Sequence, residues 1–180
     1  MGTVASTLAA VTFLSAITSG AAERWKIEID HLGAKQCKDG NDILYADDLT
    51  GCSVAAASWN SGSQIYGVFM HLCGTTIQDE ATFDQITEDE SRGEDDFSMV
   101  ESWENAIASL GQPAKVNLIR SVDASGNELF PAGNQRIIKF LQDIKIQTNI
   151  DTTKTYRSNA NAATVELHPY DDDQILLVQS

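Results

Sequence analysis

The sequence predicts a mixed α+β domain: a two-layer sandwich of mostly antiparallel strands with flanking helices. Three observations predict it. Short segments of alternating or continuous apolar character recur along the chain, separated by clusters of Gly, Asn, Asp and Ser, as strands and turns require. Two segments, Phe97–Leu110 and Asn134–Ile144, instead place their apolar residues at helical spacing. The length of 180 residues suits one domain with a sizeable core and is short for two. No internal repeat or interdomain linker breaks the chain, so residues 23–180 read as a single domain.

The elements follow in order. Met1–Ala22 contains no charged side chain, so all 12 Lys+Arg and 26 Asp+Glu lie beyond it. Two readings of this segment compete. One is a signal peptide, with Leu8–Leu14 as the apolar stretch and Gly20–Ala22 as small cleavage-site residues, although a basic start is missing. The other is an N-terminal helix with Val4, Leu8, Val11 and Leu14 on one stripe. A transmembrane span does not fit, because the stretch is short and rich in Ser and Thr. Arg24–Asp30 alternates and reads as a strand, and Gly33–Asp42 as a polar loop. Ile43–Tyr45 is a short apolar stretch leading to Leu49-Thr50-Gly51-Cys52. Cys52–Trp59 and Gln64–Leu72 read as two strands around the turn cluster Asn60–Ser63. Half of the residues in Asp79–Asp96 are carboxylates, which suggests a solvated loop. Phe97–Leu110 is a helix stopped by Gly111 and Pro113. Lys115–Val122 is a strand, Asp123–Gly126 a turn and Asn134–Ile144 an amphipathic helix. Asn149–Tyr156, Ala163–His168 and Gln174–Gln179 are three further strands, with Asp171–Asp173 turning between the last two.

Composition removes several classes of function. The net charge of −14 disfavours general nucleic-acid binding, because phosphates are met by an excess of Lys and Arg. It also disfavours adhesion to an anionic membrane, and no stable membrane insertion is expected. The chain contains no GxSxG, P-loop, GxGxxG or HExxH pattern. His31 and His168 have no Cys or His neighbours at metal spacing, and the acidic stretch does not match a calcium loop, so no metal and no cofactor are expected. Three cysteines cannot all pair, so at least one is free.

The free cysteine of interest is Cys52. If Ser61-Gly62 is a two-residue hairpin loop, Asn60 pairs with Ser63, and Cys52 lies directly opposite His71 on one face. An imidazole beside a thiol removes its proton, and an ion pair lowers the Cys pKa toward the thiolate. Gly51 allows a sharp turn and close substrate approach, and main-chain N–H groups near it offer an oxyanion site. The competing structural reading makes Cys52 a small core residue and His71 a satisfied core histidine. A register shift of one residue would separate the pair to opposite faces.

Leu49-Thr50-Gly51-Cys52, a hairpin and then His71 together resemble the LxGC…His signature of the glutamine-deamidase toxins. These comprise the catalytic domain of cytotoxic necrotizing factor and the Burkholderia lethal factor. The arrangement is also similar to the chemotaxis receptor glutamine deamidase. The resemblance covers about two dozen residues well and implies a CheD-like, necrotizing-factor-like fold. It implies Cys52 as nucleophile and His71 as its base, with Leu49, Thr50, Gly51 and Ser53 supporting the motif and the oxyanion. Two of these families carry a Thr six residues before the Cys, where this chain has Ala46. The group that orients His71 is therefore left open between Asp48, Thr50 and a main-chain carbonyl. The implied activity is conversion of a glutamine side chain in a partner protein to glutamate. Such a protein would be a monomeric toxin or effector, secreted or delivered into a host cell, or otherwise cytoplasmic. An inert secreted binding module on the same fold and a transglutaminase-type thiol enzyme are the alternatives. A papain-like arrangement is disfavoured, because there the Cys lies on a helix. Cys73 has three readings: a redox partner for Cys52, a disulfide with Cys37, or, favoured over both, a buried free thiol.

Overall fold

The computed structural model describes residues 21–60, 64–158, 161–171 and 174–179. The expectations for the N-terminal segment, for the loop at 61–63 and for most of the Asp171–Asp173 turn lie outside the described residues. Five strands come first: β1 (Arg24–Lys26), β2 (His31–Cys37), β3 (Ile43–Leu49), β4 (Cys52–Asn60) and β5 (Ile65–Cys73). Helices α1 (Gly74–Gln78), α2 (Glu80–Glu88) and α3 (Met99–Leu110) follow, then β6 (Val116–Val122) and α4 (Pro131–Asp143). Strands β7 (Ile150–Asp151), β8 (Thr155–Arg157), β9 (Ala163–Leu167) and β10 (Ile175–Gln179) complete the order.

The protein is a mixed α+β fold built on two sheets. The larger runs β2-β5-β4-β6, with β7 and β8 pairing successive parts of β6 as one broken edge. The smaller runs β1-β3-β9-β10. Most pairs are antiparallel; β1–β3, β6–β7 and β6–β8 are parallel. Each face of the central hairpin β4–β5 is buried, as its nearly unbroken apolar run requires. Cys52, Val54, Ala56 and Phe69 pack toward the small sheet with Leu44, Leu49, Val165 and Leu167. Ala55, Ala57, Val68, Met70 and Leu72 pack toward the helices, against Trp103 of α3 and Ile137 and Leu141 of α4.

Both amphipathic helices form where the spacing places them, with sharper ends. A capping box starts α3: the Ser98 hydroxyl accepts from Glu101 N–H, and the Glu101 carboxylate accepts from Ser98 N–H. Gly111, at φ +80°, terminates it. Pro131 opens α4 three residues earlier than the apolar stripe suggests.

Several expectations need correction. Gly33–Asp42 is not a loop, since its first half belongs to β2, which pairs with β5 from His31↔His71 to Cys37↔Ile65. Gly33, Lys35 and Gln36 hid the strand. Gly33 packs closely there: a Cβ would lie 2.2 Å from the tip of the Ile27 side chain, which would have to shift. Arg24–Asp30 is a strand only over its first three residues, and Ile43–Tyr45 extends to Leu49. In β3 the pairing to β9 slips between Ala46 and Leu49, and Asp48 there adopts φ +55°. The first half of the acidic stretch is helical, because the Asp79 carboxylate caps α2 by accepting from Thr82 N–H. Asn149–Tyr156 divides into β7 and β8.

The hairpin register also differs. Asn60 pairs with Ile65, not with Ser63. Cys52 therefore opposes Cys73, and His71 opposes Val54. Each partner has moved by two positions along its strand. A shift of two preserves the faces, so Cys52 and His71 still point to the same side.

Candidate active site

Cys52 is the first residue of β4, and His71 lies two residues before the end of β5. They are diagonal neighbours on the face toward the small sheet. Such neighbours are about 7–8 Å apart in the backbone, within reach of an imidazole. Both are buried, at 7% and 6% exposure, so the pair forms an interior site beneath the surface.

The geometry around His71 fixes its tautomer. Ring Nδ1 is 3.0 Å from the Ile27 carbonyl oxygen, which can only accept. Nδ1 therefore carries the hydrogen, and Nε2 keeps its lone pair. Nε2 is buried and has no hydrogen-bond partner among the described residues. It is thus a base with an open coordination position, and in this conformation the Cys52 thiol does not donate to it. Ile27 supplies the main-chain carbonyl that the sequence reading left open. Asp48 and Thr50 do not have this role: both are exposed, and the Thr50 carbonyl accepts from Ser158 Oγ instead.

Electrostatics set the resting protonation states. Burial pushes the Cys52 thiol up to about 12, helped by the nearby Cys73 and Asp30; main-chain hydrogen bonding from Gly51 and Gly74 acts in the opposite direction. Burial also moves His71 below its ordinary 6.5, against the Ile27 carbonyl and the carboxylates of Asp30, Glu28 and Asp47. The resting pair is therefore a neutral thiol beside a neutral imidazole. The thiolate–imidazolium pair expected from the sequence is not the resting state, because neither charge is solvated at this depth.

The main chain of Cys52 is clamped. Tyr156 Oη accepts from Cys52 N–H and donates to the Cys52 carbonyl, both at 2.7 Å. Cys52 N–H is thereby engaged, and the main chain of Gly51 and Gly74 lies beside the Cys52 sulfur. Phe130 lies against that side: a Cβ on Gly51 would stand 3.7 Å from its ring, and one on Gly74 only 2.1 Å. Asp30, at φ +57°, accepts from Cys73 N–H and Thr76 Oγ1, and so fixes the turn from β5 into α1 that presents Gly74.

The other motif residues have structural places. Leu49 is buried between the sheets. Ser53 faces the helices, away from Cys52, where its hydroxyl donates to Asn134 Oδ1 at 2.8 Å. Asn134 in turn donates to Glu128, so α4 is anchored directly behind β4. Ala46 is fully buried in the same inter-sheet core. Sequence reasoning missed Ile27, Tyr156, Phe130, Gly74 and Asp30. Tyr156 lies 104 positions from Cys52, and no local pattern marks it.

Among the described residues no cluster of His, Cys, Asp and Glu is arranged to hold a metal ion, and no helix is long and apolar enough to cross a membrane. No known protein-family model matches the chain, and no curated protein matches it in sequence. Among solved structures, the chain is similar to the C-terminal domain of CNFy from Yersinia pseudotuberculosis, with 16% identity and a TM-score of 0.25 over 81% of this chain. The chain spans about half of that structure's length, 51%.

Proposed function

We propose that the chain is a cysteine-dependent amidohydrolase that deamidates a glutamine side chain in a partner protein, in the manner of a toxin or effector. The supporting observation is His71. Its tautomer is held by a main-chain carbonyl, and a buried, unpartnered Nε2 lies on the same sheet face as the only thiol that the LxGC motif marks.

In this reading Nε2 takes the Cys52 proton as the sulfur attacks the glutamine carboxamide carbon. Proton transfer concerted with attack suits a site where a resting ion pair is disfavoured. Catalytic hydrogen bonds also tighten on substrate binding, so a free pair that is not yet bonded is compatible with this role. Main-chain N–H groups at Gly51 and Gly74 receive the developing oxyanion. His71 then returns the proton to the departing ammonia. His71 next deprotonates a water that attacks the thioester carbon; the C–O bond forms, the C–S bond breaks, and the proton passes from His71 back to the Cys52 sulfur, leaving glutamate and the free thiol. If an amine replaced water, the same site would be a transglutaminase.

The burial of Cys52 is the observation that favours the second reading, an inert binding module on the same fold. One experiment separates the two. The protein is incubated with glutamine-bearing host-cell proteins, and release of ammonia is measured beside peptide mass mapping. The enzyme reading expects ammonia with matching Gln-to-Glu conversion at defined sites. The binding-module reading expects neither from any substrate pool.

A further inference from the structure

The corrected hairpin register places a second thiol opposite the candidate nucleophile. Cys52 and Cys73 are direct cross-strand partners on one sheet face, and both are free. Directly opposed antiparallel residues have Cα atoms about 4.5–5.5 Å apart. A disulfide spans about 4.4–6.8 Å between Cα atoms, so the register alone brings this pair within bridging range.

We propose that Cys52 and Cys73 form a reversible cross-strand disulfide, a modification site that withdraws the nucleophile from His71. Bridging itself does not require the protein to be a deamidase; only its consequence for activity rests on that reading.

The two thiols differ in a way that orders the chemistry. Cys73 is half-buried, at the end of β5, while Cys52 is buried. A hydroperoxide therefore meets Cys73 first. The Cys73 thiolate attacks one peroxide oxygen; the S–O bond forms, the O–O bond breaks, and the leaving oxygen is protonated to water. Cys52 sulfur then attacks the Cys73 sulfenic sulfur. The S–S bond forms, the S–O bond breaks, and the departing hydroxide takes the Cys52 proton as water. Two thiols and one hydrogen peroxide thus give one disulfide and two waters, with the sulfurs oxidised and the peroxide reduced. A dithiol reverses it.

Cys37 serves as an internal control. It is buried and opposite Ile65, at the other end of β5. That is about 26 Å from Cys73 at a strand's rise per residue. The Cys37–Cys73 disulfide considered from the sequence is therefore outside the reach of the fold.

The test uses the full chain, reduced and then treated with stoichiometric hydrogen peroxide. Intact mass, non-reducing peptide mapping and iodoacetamide labelling of Cys52 are the readouts. The expected result is loss of two hydrogens, a single Cys52–Cys73 linked peptide, and loss of Cys52 labelling that dithiothreitol restores. In Cys73→Ser, peroxide should leave the mass free of any intramolecular crosslink. Oxygen adducts on Cys73 without a crosslink, or a bridge to Cys37, would overturn the proposal. A bridge that forms as expected in a protein whose fully reduced form releases no ammonia from any substrate pool would sink the deamidase reading and leave this site standing.

Discussion

Cys52→Ser is expected to lose all amide-hydrolysing activity while keeping the fold. A serine hydroxyl fits the space of the thiol. Its main chain stays clamped by Tyr156, so the site geometry survives. The hydroxyl is a far weaker acid than a thiol, and His71 is shifted below its ordinary pKa, so the proton transfer that activates attack becomes much less favourable. The stability cost should stay near 1 kcal/mol, the scale of one buried hydroxyl that can find a partner. His71→Ala should be as damaging to activity, by about 10²–10⁴-fold for loss of general-base chemistry. It also leaves the Ile27 carbonyl without its donor and opens a cavity, so some stability is lost as well. His71→Asn separates the two effects, because the carboxamide can still donate to Ile27 but offers no imidazole base. Ammonia release and thermal unfolding on the three variants check the prediction. Full activity in Cys52→Ser would exclude the thiol mechanism.

Gly74→Ala should have the second largest effect. The added methyl would sit 2.1 Å from the Phe130 ring and 2.2 Å from the Gly51 carbonyl oxygen. The ring can rotate away, but the Gly51 main chain is tied through Cys52 to Tyr156 and cannot easily yield. Overpacking of this kind costs about 1–3 kcal/mol. It also displaces the two main-chain segments that would hold an oxyanion, so activity should fall further than stability explains. A second substitution, Phe130→Ala, tests the cause. Removing the ring should recover part of the lost stability, and activity should remain low because the clash with Gly51 persists. Urea unfolding midpoints beside ammonia release provide the comparison.

Much of this site was legible in the sequence, and the reasons are local. The hairpin was visible because Val54–Ala57 and Val68–Met70 form continuous apolar runs, and a turn cluster lies between them. The shared face of Cys52 and His71 was visible because sheet parity survives a register change of two. The register itself was not legible. It depends on which residues make the turn, and taking Ser61-Gly62 as the turn puts Asn60 opposite Ser63, two positions from its observed partner Ile65. The helix α3 was announced by the helical spacing of Met99, Trp103, Ala106 and Leu110 and by Gly111 and Pro113 after it; its capping box at Ser98 and Glu101 was not read. β2 was not announced, because a closely packed glycine and two long polar side chains resemble a loop. The group that orients His71 was invisible for a different reason: a main-chain carbonyl can be supplied by any residue, and Ile27 has no mark in the sequence. The neutral state of the pair was equally hidden, since it follows from depth of burial between two sheets.

The central claim is that His71 acts as the base for Cys52. Its most direct measurement is the rate of Cys52 alkylation by iodoacetamide against pH, in the unaltered protein and in His71→Asn. Burial holds the His71 pKa below 6.5 and lifts the thiol to about 12. Between these limits Nε2 is unprotonated and can accept the thiol proton. Alkylation should therefore hold a plateau through neutral pH and fall as acid protonates His71, below 6.5. In His71→Asn the plateau should vanish, and the rate should simply rise about tenfold per pH unit as free thiolate accumulates. At neutral pH the unaltered protein should then react faster by about 10²–10⁴-fold. Superimposable profiles for the two proteins would contradict the account.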